Sequence, residues 1–319
     1  MKKILLLLTV LAASVQLKAQ LTEEAIFTQY MVNHALINPA AIGFYENSQA
    51  FMNIRSSLQG VEGSPTTYAI SYNGAAGDVL GLGANIFSEN IGQLTNFRFQ
   101  GGLGLRFKIN DDIKVAGGLT AEISQRRISN SILDNDFYEP GDEVVEANVD
   151  GNRFFDAAFG LYASYKEKTY VGVSFPNMVV SKLNDISTTE DSTSTFLRST
   201  AFIAGHKFEI SDDLSFEPSV MAMKLDGVPL RVDINLLAHF MEEQFTAGLS
   251  YRYLDAPFDQ RMGGSAALLL GVKVTAFKLF YAYDVSFLDF QQYNGGSHEI
   301  TIAFDFKGGD SARARRRKF

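Results

Sequence analysis

Residues 95–108 read TNFRFQGGLGLRFK, and this stretch decides the fold. Every second residue from Phe97 to Phe107 is apolar or glycine, whereas the residues between them are charged, polar or glycine. Because successive side chains of a β-strand point to opposite sides, the stretch predicts a long strand with one apolar face and one basic, small-residue face. Its glycines resemble a nucleotide-binding loop only superficially, since no helix follows them. We attribute them to strand bending or to close packing in a barrel wall.

The same alternation recurs along the chain in segments of about ten residues that are separated by turn residues. Clear further examples are residues 230–240, 277–287 and 300–306. The pattern predicts about fourteen strands, because each such segment can cross a sheet once. They lie near 48–58, 66–74, 79–88, 95–108, 113–126, 153–165, 169–176, 198–209, 214–224, 230–240, 244–253, 264–273, 276–287 and 298–306.

The lengths of the connections indicate a membrane barrel rather than a soluble sandwich. Connections after even-numbered strands are short, such as 110–112 and 166–168, whereas those after odd-numbered strands tend to be long, such as 89–94, 127–152 and 177–197. Several strands also exceed the five or six residues usual in soluble proteins, and their apolar faces are rich in Phe and Tyr. We therefore predict an all-β transmembrane antiparallel β-barrel with short periplasmic turns and longer extracellular loops.

The two ends of the sequence predict a route to the outer membrane. Two lysines precede an apolar run, and Ala19 offers a cleavage site before Gln20, as in a signal peptide. With an even strand count, both termini are expected in the periplasm of a multi-pass protein of the cell outer membrane. The basic tail is expected to be a free end or to contact an acidic periplasmic partner or lipid headgroups. The predicted divisions are a signal peptide (1–19), an N-terminal periplasmic segment (20–46), the barrel (47–306) and the basic C-terminal tail (307–319).

Composition and motifs argue against several function classes. The 319 residues carry a net charge of −8, which disfavours nucleic acid as a partner. Cysteine is absent, and the four histidines form no zinc-binding motif. The sequence also contains no GxSxG motif. We therefore predict that the protein is not an enzyme and that it binds no cofactor and no metal ion. His206 and His239 are expected on the face that avoids lipid. The acidic stretch 127–152 reads as a solvated loop more than as a calcium site, and it could form part of a partner surface.

The segment before the first strand is predicted to be functional. Residues 27–43 are rich in apolar groups but do not alternate as a strand, and Asn38-Pro39 interrupts any helix. We expect this segment to bury its apolar side against the periplasmic mouth of the barrel or against a partner, and either site would plug or gate the lumen. Structural packing and partner docking both stay open. The predicted partner-binding residues are Phe27, Gln29, Tyr30, Asn33, Asn38 and Pro39.

The same segment resembles the start of a known family. The sequences FTQYMVN at 27–33 and INPAAIG at 37–43 look like the beginning of PorP/SprF proteins. Two features depart from the family pattern: Leu58 stands where an aromatic residue is expected, and the chain continues past Phe306, where such barrels commonly end. Further positions that resemble the family are Arg55, Gly60, Gly63, Pro65, Thr67, Gly81, Leu82, Gly83, Asn90 and Gly92.

This resemblance implies an outer-membrane component of the type IX secretion and gliding motility machinery of Bacteroidetes. It implies partners as well: a secreted surface protein such as an adhesin, which the barrel helps to export or to anchor at the cell surface, and periplasmic or outer-membrane secretion components. The residues alone leave other classes open. A passive channel or small-solute transporter fits the alternating pattern equally well, and an outer-membrane hydrolase is disfavoured by the missing catalytic motifs.

Overall fold

The computed structural model describes residues 27–45, 47–134, 138, 140–183, 193–194, 199–226, 228–255, 263–287 and 289–306. Strands dominate these residues, and no helix among them is long and apolar enough to cross a membrane. The strands are β1 (Ser48–Ser56), β2 (Thr66–Ala76), β3 (Leu80–Ile91), β4 (Leu94–Lys108), β5 (Ile113–Ile128), β6 (Asn152–Tyr165), β7 (Thr169–Phe175), β8 (Val179–Lys182), β9 (Thr193–Ser194), β10 (Thr200–His206), β11 (Phe208–Ser211), β12 (Leu214–Lys224), β13 (Arg231–Phe240), β14 (Phe245–Leu254), β15 (Gly263–Val274), β16 (Phe277–Ser286) and β17 (Ser297–Phe306). The helical elements are α1 (Glu143–Asp150) and 3₁₀ turns at Thr28–Met31, His34–Leu36, Pro39–Ala41, Asn130–Asp134 and Asp289–Tyr293.

The strands close into one antiparallel barrel. Neighbours along the chain pair in turn, and β17 pairs with β1, with Phe306 opposite Ser48 and His298 opposite Ser56. Both β7 and β8 pair with β6, and both β10 and β11 pair with β12, so each of these couples forms a single wall strand. The short β9 pairs with β8. The wall therefore has fourteen strands, which confirms the predicted fold.

The wall is apolar outside, and its inner face is largely polar except where Ile203, Met221, Leu237, Leu269 and Phe280 form a core with residues 30–44. On β4, Phe99 is 48% exposed, whereas Arg106 is 8% exposed. On β13, Ile234 is 59% exposed, whereas the neighbouring Asp233 is fully buried. A soluble β-sandwich buries its apolar faces, so the reverse arrangement seen here fits a barrel that is surrounded by lipid. The period-2 pattern of the sequence thus placed both faces of these two strands correctly.

The two ends of the barrel differ in their connections. The end that we call the turn end carries only short ones: 77–79, 109–112, 166–168, 212–213, 241–244 and 275–276. The opposite end, the loop end, carries the longer connections, among them 57–65, 129–151 and 287–296. The prediction of a longer loop at residues 89–94 was wrong. Residues 89–94 form only a two-residue turn, because β3 and β4 both extend and Gly92 adopts a positive φ of 56°. Most of the predicted loop at 177–197 lies outside the described residues.

The acidic stretch at the loop end contains a helix that the sequence analysis did not predict. The Asp142 Oδ1 atom accepts a hydrogen bond from the Val145 N–H at 3.2 Å, which caps the start of α1. Gly151, at a φ of 85°, follows the last helical residue. Glu146 accepts hydrogen bonds from the Tyr138 hydroxyl and the Gly141 N–H, so this carboxylate orders the loop locally. Both helix signals are present in the sequence, but the acidic composition favoured an irregular loop.

We predict that the turn end faces the periplasm and the loop end faces the outside. Because the chain contains no cysteine, Glu143→Cys and Glu167→Cys each introduce a single thiol. An impermeant maleimide added to intact cells should label the first variant and spare the second, and permeabilised cells should label both. Labelling of Glu167→Cys together with protection of Glu143→Cys in intact cells would reverse the orientation.

Candidate functional site: a plug inside the barrel

Residues 27–45 lie within the barrel lumen, and we call them the plug segment. Most of its side chains are buried, with Phe27 at 3%, Tyr30 at 1% and Phe44 at 1% exposure, whereas Tyr45 at its end is exposed. The segment folds as three 3₁₀ turns, and the last of these is capped by the Asn38 Oδ1 atom, which accepts from the Ala40 N–H at 2.9 Å. The sequence analysis expected burial at the mouth of the barrel or on a partner. The structure instead places the described part of the segment in the lumen, enclosed by the strands of the wall.

The plug segment runs along the lumen from the loop half to the turn end. Its first residue, Phe27, stacks on Phe87 of β3, with ring centroids 6.2 Å apart. Near its last residues, the Gly43 N–H donates to the Asn73 side chain, close to the short turn after β2. Phe27 therefore lies in the loop half, whereas Phe306, the last described residue, lies at the turn end. The prediction that both termini are periplasmic concerns residues beyond these two and stays a prediction.

At the loop end, the plug segment is held by one buried carboxylate. The Glu299 carboxylate accepts hydrogen bonds from the backbone N–H groups of Thr28 and Gln29, at 2.9 and 3.1 Å. It also accepts from the Arg55 guanidinium at 3.0 Å. Arg55 and Glu299 stand opposite each other across β1 and β17, the strand pair that closes the barrel. The first 3₁₀ turn is thus bound at the seam of the wall.

A chain of alternating charges continues from this seam around the inner wall. Asp284 lies 3.6 Å from Arg55 and 3.2 Å from Arg252. Asp233 lies between Arg252, at 3.2 Å, and Arg231, at 2.6 Å. Together with Glu299 these are three arginines and three carboxylates, so the chain is formally neutral. A low-dielectric interior tolerates such charges only when each one is paired and hydrogen-bonded.

Tyr30 connects the plug segment to this charge chain. Its hydroxyl donates to the Asp233 carboxylate at 3.2 Å and accepts from the Asn235 side-chain amide at 2.8 Å. Further along the segment, the Asn38 amide donates to the backbone carbonyls of Leu161 and Val173, at 3.0 and 3.3 Å. Polar groups of the plug segment therefore find partners on strands at both sides of the lumen.

The wall is shaped for the plug segment by inward-facing glycines. A Cβ atom added to Gly104 would lie 2.2 Å from the Ile42 carbonyl oxygen, and one added to Gly118 would lie 2.3 Å from the Pro39 backbone. An added methyl group would overlap the segment at six glycines of this set and would press tightly on Ile42 at Gly83, so the missing side chains create the space that the segment fills. We call the set the glycine track. Its members are Gly81, Gly83, Gly102, Gly104, Gly118, Gly160 and Gly172.

At the turn end, Arg106 fastens the last residues of the plug segment. Its guanidinium donates to the Gly43 carbonyl and also to the carbonyls of Gly77 and Asp78, at 2.6 and 2.9 Å. One side chain thus joins the segment to the first short turn. Nearby, the Lys114 ammonium stands 5.5 Å above the Phe44 ring.

Lys114 also reaches a second short turn, between β6 and β7. Its ammonium donates to the Glu167 carboxylate at 2.8 Å. This hydrogen bond holds the pKa of the Glu167 carboxyl below its ordinary value. Lys114 therefore links the plug segment to the turn that the labelling experiment probes.

The structure brings the six predicted partner-binding residues together inside the lumen. All six are buried. Phe27, Tyr30, Asn38 and Pro39 line a cavity of about 100 Å³ in the loop half. Asn33 lines a different cavity, on the turn side. Within the described residues, the side-chain amide of Gln29 has no hydrogen-bond partner. Contact of these residues with another protein stays a prediction.

Sequence reasoning missed Glu299 and Arg55 as the anchors of the plug segment. Both occupy inward positions of alternating strands, and Arg55 also belongs to the family-like pattern. Their pairing, however, depends on the register of β17 against β1, which joins residues 244 positions apart. A strand pattern indicates which residues face the lumen, but it does not indicate which of them meet there.

The histidines divide between the two faces of the wall. His239 faces the lumen as predicted, where its ring nitrogens lie 3.4 Å from Glu217 and 3.2 Å from Thr246. His206 was predicted on the same face, but it shares the outer face with Phe208, whose ring centroid is 4.3 Å away. The reason is the alternation along β10, where Phe202, which is 40% exposed, and His206 are four residues apart and therefore point to the same, outer side. Among the described residues, no group of three or more His, Asp or Glu side chains could hold a metal ion.

Fold and site together define an outer-membrane type of β-barrel whose lumen is occupied by its own N-terminal segment. The family model for the type IX secretion system membrane protein PorP/SprF matches residues 19–304. The chain therefore belongs to the PorP/SprF family, which confirms the resemblance found in the sequence.

Solved structures with a similar fold are outer-membrane barrels. The deltaS2S3 mutant of the TodX monoaromatic hydrocarbon channel aligns with a TM-score of 0.51 and 8% identity, covering 86% of this chain and 94% of that chain. The Pseudomonas putida toluene transporter TodX gives 0.48 and 8%, covering 88% and 93%. A Pseudomonas aeruginosa FadL homologue gives 0.46 and 12%, covering 84% and 91%. At such identities the likeness shows the fold alone. Among curated proteins, no sequence matches this chain significantly.

Proposed function

We propose that this barrel serves the type IX secretion system as a closed outer-membrane component that helps to export or retain a partner surface protein, such as an adhesin. Its membership of the PorP/SprF family supports the association with secretion. The observation that favours a closed component is the plug segment, which Glu299 binds at one end and Arg106 at the other. The glycine track supports the same view, because without the plug segment these glycines would leave unfilled space along the inner wall.

A passive channel or small-solute transporter is the second candidate. Barrels of similar fold include a named channel and a named transporter, but that likeness extends only to the fold. In this chain the plug segment lies between the loop-side cavity and the turn-side cavity, where a permeating solute would have to pass. We therefore place the channel second. Family and fold are those of a secretion and membrane component rather than of an enzyme.

The partner-binding residues enter this proposal through the loop-side cavity. Phe27, Tyr30 and Pro39 give it apolar and aromatic surface, and Asn38 adds an amide. A segment of a surface protein that reaches into the lumen from the loop end would meet these residues first. Periplasmic or outer-membrane components of the secretion machinery would bind at the other end, on the short turns.

Deleting residues 27–41 while keeping residues 1–26 tests the proposal. The wall strands and their hydrogen bonds remain, so we expect a folded barrel whose electrophoretic mobility still changes when the sample is heated. We also expect cargo display at the cell surface to be lost and the purified barrel to conduct ions in planar bilayers. The full-length chain should display cargo and show little conductance. Gly101→Ala is the control for expression, since its added methyl group meets no atom within 4 Å.

The outcomes of this experiment separate the two candidates. Normal display of cargo by the deletion variant would remove the plug segment from the secretion mechanism. Steady conductance by the full-length chain, equal to that of the deletion variant, would instead favour the passive channel.

A further inference from the structure

At the turn end, a cavity of about 500 Å³ lies between the first short turn, 77–79, and the neighbouring ends of β4 and β5. Three of its six lining residues are cations, and one is a carboxylate. We call this space the basic pocket. Its lining residues are Asp78, Val79, Arg106, Phe107, Lys108 and Lys114.

Arg106 brings a buried positive charge to the basic pocket. The residue is only 8% exposed, and its guanidinium donates to four backbone carbonyls, two in the plug segment and two in the first short turn. Within the described part of the chain, none of its hydrogen bonds goes to a carboxylate. Carbonyl oxygens satisfy its N–H groups but carry no formal charge, whereas a buried charge is most stable beside an opposite one. A guanidinium has five N–H groups, so one of them remains for an incoming acceptor.

The two lysines of the basic pocket stand directly opposite each other, with Lys108 on β4 and Lys114 on β5. Like charges in such a cross-strand pair repel each other, and a nearby anion reduces that cost. Glu167 of a neighbouring turn already serves in this way. Its carboxylate accepts from the Lys114 ammonium at 2.8 Å, and Lys108 acts on the same carboxyl through its charge. Because the Glu167 side chain is 69% exposed, another carboxylate can replace it at little cost.

The cations of the basic pocket face the mouth of the lumen and not the lipid. Arg106 and Lys108 occupy inward positions of β4, whereas Phe107 between them points outward and is 50% exposed. Arg106 donates to the plug segment, and Lys114 stands over the Phe44 ring. A lipid headgroup would meet the outward face first, but a protein that docks on the short turns reaches the cations directly. The plug segment also holds two of them in place, so the pocket is preformed.

We propose that the basic pocket binds an acidic side chain of the secretion component that docks on the turn end. This rests on the proposed function, since it gives the chemistry of the partner expected there. The carboxylate of the partner approaches Arg106 and Lys114 from the mouth and displaces Glu167 from Lys114. Charge-assisted hydrogen bonds of this kind are roughly twice as strong as neutral ones. The pocket therefore selects a partner with an acidic segment and rejects a basic one.

Lysine acetylation in the full-length barrel tests this assignment. The barrel is kept in dodecyl maltoside micelles, which leave both ends accessible, and is treated with sulfo-N-hydroxysuccinimide acetate. Mass spectrometry follows the acetylation of each lysine. The probe is N-acetylated hexaglutamate, and the hexaglutamine peptide is its uncharged counterpart. Lys108 reports on the pocket. Lys166 is the internal control, because it is also exposed and lies 4.0 Å from a carboxylate, that of Asp112, but does not line the pocket.

We expect hexaglutamate, at about four times its dissociation constant, to slow the acetylation of Lys108 roughly fivefold and that of Lys166 hardly at all. The protection should disappear at about 1 M salt. Glu167→Gln removes the internal competitor from an exposed turn, so it should bind the peptide roughly threefold more tightly, as expected from losing one exposed ion pair. Lys114→Gln should lose the protection. If that variant does not refold, Glu167→Gln still tests the pocket.

Several results would overturn the proposal. They are equal slowing at Lys108 and Lys166, an equal effect of hexaglutamine, and unchanged or weaker peptide binding by Glu167→Gln. Full protection of Lys108 by inorganic phosphate would assign the pocket to small anions. Protection by phosphatidylglycerol in the micelles, without peptide, would assign it to lipid headgroups. Either outcome also overturns the proposal. The measurement needs neither cargo nor secretion, so its failure is distinct from a failure of the proposed function, which the deletion of the plug segment tests.

Discussion

Replacing Glu299 with glutamine is expected to lower the free energy of unfolding of the barrel by about 3–5 kcal/mol. The Glu299 carboxylate is fully buried and serves the N–H groups of Thr28 and Gln29 as well as the Arg55 guanidinium. Glutamine removes the negative charge, so Arg55 stays buried with only the more distant Asp284 at 3.6 Å to balance it. Denaturant-induced unfolding of the refolded barrel in liposomes measures the loss.

The matched control is an ion pair on the surface of the same molecule. Glu209 pairs with Lys168 at 2.5 Å, but both side chains are substantially exposed. Glu209→Gln should therefore cost no more than about 1 kcal/mol. A double change of Arg55 to Met and Glu299 to Leu removes both charges, and it should cost less than the sum of the single changes. If Glu299→Gln matched Glu209→Gln, the seam would not be the anchor of the plug segment.

The wall of this barrel could be predicted from sequence because its determinants are local. A period of two residues sets which face of a strand is apolar, and turn residues mark where the strand ends. Strand β4 illustrates this well: residues 95–108 were predicted, and the strand runs from Leu94 to Lys108. The errors occurred where two local signals competed or where a strand extended past its predicted end. A two-residue turn at Gly92 replaced a loop, and a capped helix formed in an acidic stretch.

The position of the plug segment depends on contacts between residues that are distant in sequence, so a strand pattern could only hint at it. Thr28 and Glu299 are 271 positions apart, and their contact exists only once the barrel has closed. Two sequence features were nonetheless informative. The segment had too many apolar groups for a free tail, and glycines occupied inward positions of β3 and β4. Together, these two features would have suggested that the segment packs against a part of the wall that lacks side chains. They would not have shown which strands form that part.

The glycine track gives the second large effect, through Gly104→Ala. The added Cβ would lie 2.2 Å from the Ile42 carbonyl oxygen, which is a backbone atom and cannot rotate away. Either the wall or the plug segment must therefore move. We expect a loss of about 1–3 kcal/mol in the free energy of unfolding, as for other overpacked sites. Because the plug segment is joined to the wall by side-chain packing and hydrogen bonds and not by strand pairing, we also expect it to shift and the lumen to conduct ions.

Gly101→Ala on the same strand separates this effect from a general sensitivity of β4. That glycine points away from the lumen and has no atom within 4 Å of the added position. It should retain the wild-type unfolding free energy and the low conductance of the closed barrel. Planar-bilayer recordings and denaturant unfolding of the two variants together show whether the effect comes from the clash with the plug segment. If Gly104→Ala behaved like Gly101→Ala in both measurements, the plug segment would not rest on the glycine track, and the closed lumen would lose its main structural support.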